Sequence, residues 1–498
     1  MNRIYTIFVM FAISSLLVAS VPLPSDAASN LNYMLTIAEN AKKYCKSEIE
    51  ARDTVEPKMK ELYLQSISEV DKLASAIDAN DVKSAREHFV SAMQKMRQIS
   101  LMINELEIVE AENQPSIARN PVLERFEMNI QKLKTISIKL GASIDFNKID
   151  DVILGCVTQQ GEQAGNIAKS SALFSGLPDK VNGITLNRFC SSSLDAINFG
   201  YLKILSGQSN LVFSGGIEMM SRVPMLSDEA SIWIDPKIAL KSKIFMMGSG
   251  ADLIASLNNI SREEADKLAY SSQQKAYFAK TNNYFKSVIP VKNQYKNLIC
   301  KEDECIRHET TIDDLSLLDP SFDELGKRGV DELQLKLFPE LKQINHIHTA
   351  GNSPAMADAA SITILSNSKH SDSDKYKYRA TIKAVATVND DPAFVLSGCL
   401  AATKKILKDM KLTVNDIDMF EIHEAFASTI IHTQRVLEIP QDKLNVNGGC
   451  IALGHPMGAT GSIMMSTLLD EMERQNLSLG IVSTSGAAGA GTAILIER

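Results

Sequence analysis

Residues 445–465 read NVNGGCIALGHPMGATGSIMM, a glycine-rich stretch that leads into an apolar segment. His455 lies inside it, between Gly454 and Pro456. Glycine lets a backbone approach a ligand closely, and a histidine held on such a loop is placed to act as a general base. A lone histidine is more often structural, but this one has glycine-rich sequence on both sides. The stretch therefore indicates a catalytic loop that opens onto a helix.

A second candidate for chemistry is Cys190, in the segment NRFCSSSLDAINFG (187–200). It follows ITLNRF, which is typical of a strand, and precedes an amphipathic helical pattern. A thiol in such a turn lies near a helix N-terminus, where the helix dipole favours the thiolate. The local pattern alone leaves a buried structural cysteine equally open.

A third segment, EIHEAFAS (421–428), has His423 and Glu424 where the strand-like run IDMFEI gives way to a helical pattern. No second histidine follows at the spacing of a zinc protease motif. Cys300, Cys305 and His308 likewise lack the spacing of a zinc finger. The sequence therefore predicts no metal site.

Together these segments resemble the motifs of the thiolases, the group of 3-ketoacyl-CoA thiolases and acetyl-CoA acetyltransferases. NRFCSSSLDA is similar to the nucleophile segment of that family, and GGCIALGHPMGATG to its glycine-rich histidine segment. Three more segments match in the family's order: SGGIEMMSRVPM (214–225), HTAGNSPAMADAAS (348–361) and HEAFA (423–427). The resemblance covers residues 119–498, and five motifs in order argue against a chance match.

The resemblance implies an α/β fold of the five-layered αβαβα type, with two similar halves and an inserted loop domain. Independently, apolar β-like runs such as DDVILGCV (150–157) and ATIKAVATV (380–388) alternate with helical patterns, which favours α/β layers. We expect one half at residues 119–370, with the loop domain at about 226–345, and the other half at 371–498.

The resemblance also implies roles for single residues. Cys190 would accept the acyl group, His455 would take its proton, and His423 would help to hold an oxyanion-stabilising water. Backbone N–H groups of Cys190 and of STSGAAGAGT (483–492) would form a second oxyanion hole. The coenzyme A arm would lie along residues from three motifs: Met220, Ala350, Gly351, Asn352, Ser353 and Gly454.

The implied reaction is thiolytic cleavage of 3-ketoacyl-CoA, as in β-oxidation of fatty acids, or the reverse Claisen condensation, through an acyl-Cys190 intermediate. Coenzyme A would be a substrate, and no cofactor would be bound permanently. Family resemblance alone implies a homodimer or homotetramer. The net charge of −8 gives no basic patch of the kind that binds nucleic acid.

One segment departs from the family. STSGAAGAGT replaces a C-x-GGG-x-G segment whose cysteine moves the proton of the substrate carbon, and Ser485 falls at that cysteine. A thiol has a pKa of about 8.5 and a serine hydroxyl is far less acidic, so we expect impaired turnover. Cys450, the nearest cysteine in the sequence, does not match the family position. The alternatives are a degenerate acyl-CoA-binding member, or an exported helical module fused to a thiolase remnant.

The N-terminus predicts a different kind of segment. Arg3 precedes an apolar run at residues 5–23, and small residues follow, so residues 1–28 resemble a signal peptide cleaved near Ala27. An uncleaved anchor, with membrane contact through residues 5–23, is the alternative. Because coenzyme A chemistry favours the cytoplasm, the two ends of the chain indicate different locations.

Residues 30–112 contain no glycine, and their apolar residues recur at helical spacing. Asn80 and Asp81 predict a turn and a helix N-cap. We therefore expect a helical hairpin or small bundle there, in which His88 is a partly exposed helix residue and nothing is catalytic.

Overall fold

The computed structural model describes residues 55–79, 81–112, 144–293, 298–300, 302–367 and 378–498, with scattered positions between 34 and 50. The expected signal peptide or anchor, and the start of the first half before residue 144, lie outside the described residues. The chain divides into two compact units, residues 1–119 and 120–498. Within the described ranges, no helix combines the length and the apolar character needed to span a membrane.

The first unit contains a helical hairpin. Helix α1 (Pro57–Asp78) and helix α2 (Val82–Glu112) pack together along a buried apolar stripe that includes Val70, Leu73 and Phe89. Asp81 accepts the N–H of Ser84 at 3.1 Å and so caps α2. His88 is partly exposed and contacts Glu69 at 2.9 Å. The helical segment expected at residues 30–112 is therefore seen in part.

The second unit contains two mixed sheets with helices. Its strands are β1 (Asp151–Gly155), β2 (Asn182–Leu186), β3 (Leu211–Met219), β4 (Val291–Asn293), β5 (Leu298–Cys300), β6 (Asp358–Ser366), β7 (Thr381–Asn389), β8 (Met419–Ile422), β9 (Leu479–Ser485) and β10 (Ala490–Glu497). Its helices are α3 (Ile167–Phe174), α4 (Ser192–Leu205), α5 (Ser231–Ile234), α6 (Pro236–Ser242), α7 (Met247–Leu257), α8 (Arg262–Thr281), α9 (Ile312–Ser316), α10 (Asp323–Leu325), α11 (Asp331–Leu337), α12 (Gly398–Met410), α13 (Ala427–Leu437), α14 (Cys450–Leu453) and α15 (Thr460–Gln475).

The first sheet has the strand order β2-β1-β3-β6, with β1 parallel to β2 and β3, and β6 antiparallel to β3. Successive side chains along a strand point to opposite faces of the sheet. Val152 and Leu154 of β1 pack with α3, whereas Ile153 between them packs with α4. The sheet is therefore covered by helices on both faces.

The second sheet has the order β7-β10-β9-β8, with β8 parallel to β9 and the other pairs antiparallel. Val482 and Ile494 face a core shared with α4 and α15. Ile481 and Leu495, one position along, face α12 instead. The strands β8, β9 and β10 repeat the order and directions of β1, β3 and β6, whereas the fourth strands differ, since β2 pairs with β1 and β7 pairs with β10.

Two helices, α4 and α15, pack directly against each other between the sheets. The N–H of Ser462 donates to Ser193 Oγ at 3.0 Å, and a Cβ on Gly461 would lie 2.6 Å from that of Leu194. Glycine at 461 therefore permits the close approach. Because Cys190 precedes α4 and His455 precedes α15, this contact draws the two motif segments together.

Strands β3 and β6 are neighbours in the sheet, although a long insertion separates them in sequence. The insertion holds helices α5 to α11 and the hairpin β4-β5. Its longest helix, α8, starts with a capping box of Ser261 and Glu264. This more polar region thus folds largely into helices against the sheet-bearing core.

Candidate active site

Cys190 lies in the turn between β2 and α4, where the preceding Phe189 has a φ of 49°. The side chain of Cys190 is 8% exposed and packs against Met220 and Met457. Met457 is two residues beyond His455 in the glycine-rich segment. The nucleophile segment and the histidine loop therefore form one small cluster, and Met220 belongs to it.

Burial raises the pKa of Cys190 to about 12, and the buried carboxyl group of Glu218 adds to the rise. The expectation that the helix N-terminus favours the thiolate is therefore wrong for the free site. Desolvation and the carboxyl group of Glu218 outweigh the hydrogen bond from the backbone N–H of Cys190. The thiol stays protonated near neutral pH, so its attack on a substrate requires a base.

His455 follows α14 and precedes α15, held by backbone and side-chain bonds. Its backbone N–H donates to the carbonyl of Ala355 at 2.8 Å, and its ring Nδ1 lies 2.8 Å from the hydroxyl of Thr460. Burial, and then the neighbouring His423, keep the pKa of His455 well below its usual value. The ring is therefore neutral near pH 7 and has a nitrogen able to accept a proton.

His423 lies just after β8 and is fully buried. Its Nδ1 is 3.1 Å from the carbonyl oxygen of Ser485, which can only accept, so the proton is on Nδ1. Its Nε2 has no hydrogen-bond partner among the described residues. Burial lowers the pKa of His423 to about 4. The ring centroid lies 4.5 Å from that of His455, so a buried lone pair of Nε2 is available beside the second histidine.

Cys450 completes this cluster, although the sequence analysis set it aside. One ligating atom each of His423, Cys450 and His455 lie within 4.8 Å of one another. Cys450 is the first residue of α14, and its thiol is buried. Burial, and then the charge of Glu424, raise the pKa of Cys450 well above the usual thiol value. The signal in the sequence was a cysteine five residues before the loop histidine.

Ser485 reaches the site through its backbone. Its carbonyl accepts from His423, while its hydroxyl oxygen accepts the N–H of Cys399 at 2.9 Å, in the first turn of α12. The adjoining loop is buried against the nucleophile segment, with Ala487 in one apolar cluster with Phe189. The structure thus brings STSGAAGAGT to the site and engages the hydroxyl of Ser485 at α12.

A buried carboxyl group, Glu218, ties two loops together, and no role for it followed from the sequence. It accepts the N–H groups of Val157 at 2.9 Å, Thr158 at 3.1 Å and Gly458 at 3.0 Å, and the side-chain amide of Gln163 at 2.8 Å. Gly458 belongs to the histidine loop, and the other three lie after β1. Glu218 therefore fixes the histidine loop next to Cys190.

Glu424 does the same on the other side of the histidine loop. Its carboxylate accepts the hydroxyl of Ser272 at 2.8 Å, the amide of Asn445 at 3.1 Å and the N–H of Ile451 at 3.2 Å. A Cβ on Gly449 would lie 2.2 Å from the carboxyl carbon of Glu424. Residue 449 of the GGC segment is therefore glycine because a buried carboxylate lies against it.

The residues expected along the coenzyme A arm lie in different environments. Asn352 is fully buried, and its amide bonds the N–H of Thr349, the carboxylate of Asp266 and the carbonyl of Ile347. Its side chain is thus committed to the fold. Gly454 lies against the thiol of Cys305, since an added Cβ would be 2.9 Å from the sulfur.

The rest of the TAGNS segment borders a cleft. The guanidinium of Arg307 reaches the carbonyl of Ala350 at 3.5 Å. Ser353 Oγ is buried with no hydrogen-bond partner within the described part of the chain. The cleft measures about 200 Å³ and is lined by Gln273, Arg307, Thr310, Asp314, Leu315, Leu318 and Gly351.

A histidine–carboxylate cluster precedes the same segment. Buried Asp252 contacts Nδ1 of His348 at 2.6 Å and Nδ1 of His346 at 2.9 Å, and Asp331 contacts Nε2 of His346 at 3.0 Å. The two carboxylates raise the pKa of His346 to about 9 against the effect of burial. His346 is therefore a cation at neutral pH that joins α7 to α11.

A buried thiol and the loop of a neutral histidine thus lie in one cluster, brought together by two helices between the two sheets of an α/β fold. The family description "Thiolase, N-terminal domain" matches residues 126–329, and "Thiolase, C-terminal domain" matches residues 376–498. The chain belongs to the thiolase family.

Curated relatives agree over most of both chains. The 3-ketoacyl-CoA thiolase of Aliivibrio fischeri is 35% identical over 369 residues, which cover 72% of this chain and 90% of the relative. The 3-ketoacyl-CoA thiolase of Colwellia psychrerythraea is 33% identical over 412 residues, 80% of this chain and all of the relative. The residues before the first family match lie largely outside these similarities.

Proposed function

We propose that this chain is an acetyl-CoA C-acyltransferase of the thiolase type. It would cleave 3-ketoacyl-CoA with coenzyme A to acetyl-CoA and a shortened acyl-CoA, or run the reverse condensation, within fatty acid metabolism. The observation that carries the proposal is the clustering of the buried thiol of Cys190 with the loop of neutral His455. Coenzyme A enters as a substrate, and the chemistry needs no permanently bound cofactor.

In this mechanism the sulfur of Cys190 bonds to the keto carbon, and its proton passes to His455. The high pKa of the free thiol is consistent with transfer during the attack. The carbon–carbon bond then breaks, and the enolate of acetyl-CoA takes on its carbon the proton that His455 received. The thiol of coenzyme A finally attacks the acyl-Cys190 carbonyl, its proton passes through His455 to the leaving sulfur of Cys190, and the shortened acyl-CoA and the free enzyme are released.

The oxyanions of these steps require donors that are already in place. Because the proton of His423 is on Nδ1, its Nε2 would accept one hydrogen of a water whose other hydrogen faces the oxyanion. The backbone N–H groups of Cys190 and of Ala487 or Ala488 would serve the second oxyanion, because those of Gly486 and Gly489 already donate to the carbonyls of Ala490 and Val395. Removing one such donor costs about 100-fold to 1000-fold in kcat in comparable sites.

We propose reduced turnover as well, because the side chain at the second cysteine's position is a serine. The hydroxyl of Ser485 is engaged with the N–H of Cys399, and a hydroxyl is a poor acid and base at carbon. Loss of a general acid or base costs about 10²–10⁴-fold. The same contact supports the second candidate, a member that acylates Cys190 but does not complete the Claisen step.

The layers support a five-layered arrangement, in the order α3, first sheet, α4 with α15, second sheet, α12. We place the halves at residues 119–370 and 371–498, with the insertion at about 226–345 in the first. A homodimer or homotetramer remains a prediction, which sedimentation of the purified chain would test. Residues 1–28 and 30–112 add a leader or anchor and a helical module to this enzyme.

The test is acetoacetyl-CoA thiolysis by the full chain, with Cys190→Ala and Ser485→Cys measured beside it. We expect slow thiolysis that Cys190→Ala abolishes and that Ser485→Cys raises by about 10²–10⁴-fold, the range for a restored acid or base. Intact mass after incubation with acyl-CoA separates the candidates: an adduct on Cys190 without thiolysis favours the partial reaction. Neither adduct nor thiolysis would refute both.

A further inference from the structure

The thiolase reaction as proposed uses His423 and His455 but has no use for the thiol of Cys450 beside them. One ligating atom of each of these three residues lies within 4.8 Å of the others. His423 and Cys450 are buried, and His455 is only partly exposed. A cysteine and two histidines at such distances are the side chains that bind soft and borderline metal ions.

The histidines are oriented for ligation. The Nδ1 of His423 is occupied by the carbonyl of Ser485, and the Nδ1 of His455 by the hydroxyl of Thr460. Such second partners fix the tautomer and the ring orientation of metal-binding histidines. They leave Nε2 of both rings for a ligand, and Nε2 of His423 is a buried polar atom without a partner among the described residues.

We propose that His423, Cys450 and His455 form a binding site for a divalent transition-metal ion of the Zn²⁺ type. Zinc takes nitrogen ligands at about 2.0–2.1 Å and thiolate sulfur at about 2.3 Å, which places tetrahedral ligands roughly 3.5 Å apart. The three atoms therefore need to close in by about 1 Å, within reach of small side-chain rotations. Three protein ligands leave the fourth position for water, on the partly exposed side of His455.

Binding exchanges a proton for the metal. The S–H bond of Cys450 breaks, the proton leaves to solvent, and the sulfur and the two Nε2 lone pairs bond to the ion. No electron transfer is involved.

The consequence for activity rests on the proposed function. A metal on Nε2 of His455 removes the base that Cys190 requires, and a metal on His423 displaces the water at the oxyanion. Zn²⁺ would therefore inhibit thiolysis reversibly, with release by chelators. The binding itself does not depend on the reaction, so it is measured separately.

The experiment is a titration of the chelator-treated full chain with Co²⁺, followed by displacement with Zn²⁺. We expect one equivalent bound, a thiolate-to-cobalt charge-transfer band and the intense visible bands of four-coordinate Co²⁺. Cys450→Ala removes the charge-transfer band and weakens binding at least about 100-fold, since loss of even an outer partner costs 10–100-fold. Cys399→Ala removes another buried thiol of the second unit and leaves the titration unchanged.

The wild-type spectrum decides the matter even if Cys450→Ala does not fold. Stoichiometric Co²⁺ without a thiolate band, or no binding at micromolar metal, overturns the proposal. Thiolysis measured on the same samples separates the two claims. If the chain binds the metal but shows no thiolysis, the metal site is supported and the proposed acyltransferase activity is rejected. If the chain is active and Zn²⁺ does not inhibit it, the activity is supported and the metal site is rejected.

Discussion

Replacing Glu218 by glutamine tests whether one buried carboxyl group holds the active-site loops. Its two oxygens accept four N–H groups at 2.8–3.1 Å. Glutamine has one carbonyl oxygen, and its NH₂ group faces two of those donors, so two buried donors lose their acceptor. Each orphaned donor costs about 1–3 kcal/mol, and relief from burying a carboxyl group offsets part of the sum. We expect a net loss of about 2–4 kcal/mol.

The assay is urea unfolding followed by tryptophan fluorescence. Trp233 is the one tryptophan of the chain, and its ring lies 5.9 Å from that of Phe189, next to the nucleophile. Its emission therefore reports on the unit that holds the site. Glu162→Gln is the matched control, since its exposed pair with Arg222 contributes less than about 1 kcal/mol. Equal losses in the two variants would refute the reasoning.

A second readout follows from the charge. Glu218 contributes to the raised pKa of Cys190, so Glu218→Gln should move the alkylation midpoint of that thiol to lower pH. Iodoacetamide alkylation against pH, with the Cys190 peptide followed by mass, measures the shift. An unchanged midpoint would mean that burial alone sets the pKa.

Three further predictions concern single contacts. Thr460→Val lets the ring of His455 turn, so we expect kcat for thiolysis to fall about 10–100-fold. Thr460→Ser keeps the hydroxyl and should keep kcat. An unchanged kcat in Thr460→Val would contradict a role for this contact. Ala488 has a φ of 59°, a conformation that glycine adopts more easily than alanine, so Ala488→Gly should raise the free energy of unfolding by about 0.5–1 kcal/mol. Ala487→Gly should lower it, and the urea midpoints of the two variants and the wild type measure the difference. The pKa of His346 in the folded protein is raised to about 9, so its contribution to stability is full below about pH 6.5 and is lost as the pH rises through 9. Parallel curves of unfolding free energy against pH for wild type and His346→Gln would contradict this.

The sequence predicted those parts of the fold that depend on local patterns. The run DDVILGCV contains β1, and LGIVST lies within β9, because apolar residues at both faces of a buried strand leave a continuous apolar signal. The N-cap at Asp81 was readable from capping chemistry. The motifs also predicted that Cys190 and His455 share one site, and both segments precede helices, α4 and α15, that pack against each other.

The electrostatics of the site could not be read from the sequence in the same way. The pKa of Cys190 depends on its burial and on Glu218, which β3 brings from the next strand of the sheet. A rule about helix N-termini describes the local dipole but not the solvent that the fold removes. The local rule therefore gave the wrong direction, and only packing shows that this thiol needs a base.

Ser485 and Cys450 show the same limit for side-chain direction. Alignment assigns a position to a motif, but a strand alternates its faces, and Ser485 shares the face of Ser483, whose hydroxyl also bonds Cys399. The side chain at 485 is therefore drawn to α12, while its carbonyl turns to His423. Cys450, which no motif assigns, begins a helix whose first residue faces the two histidines. If Ser485→Cys restores thiolysis, the new thiol must leave α12, and the weaker acceptor strength of sulfur makes that turn easier. If it does not, Ser485 is not the position of the missing acid and base.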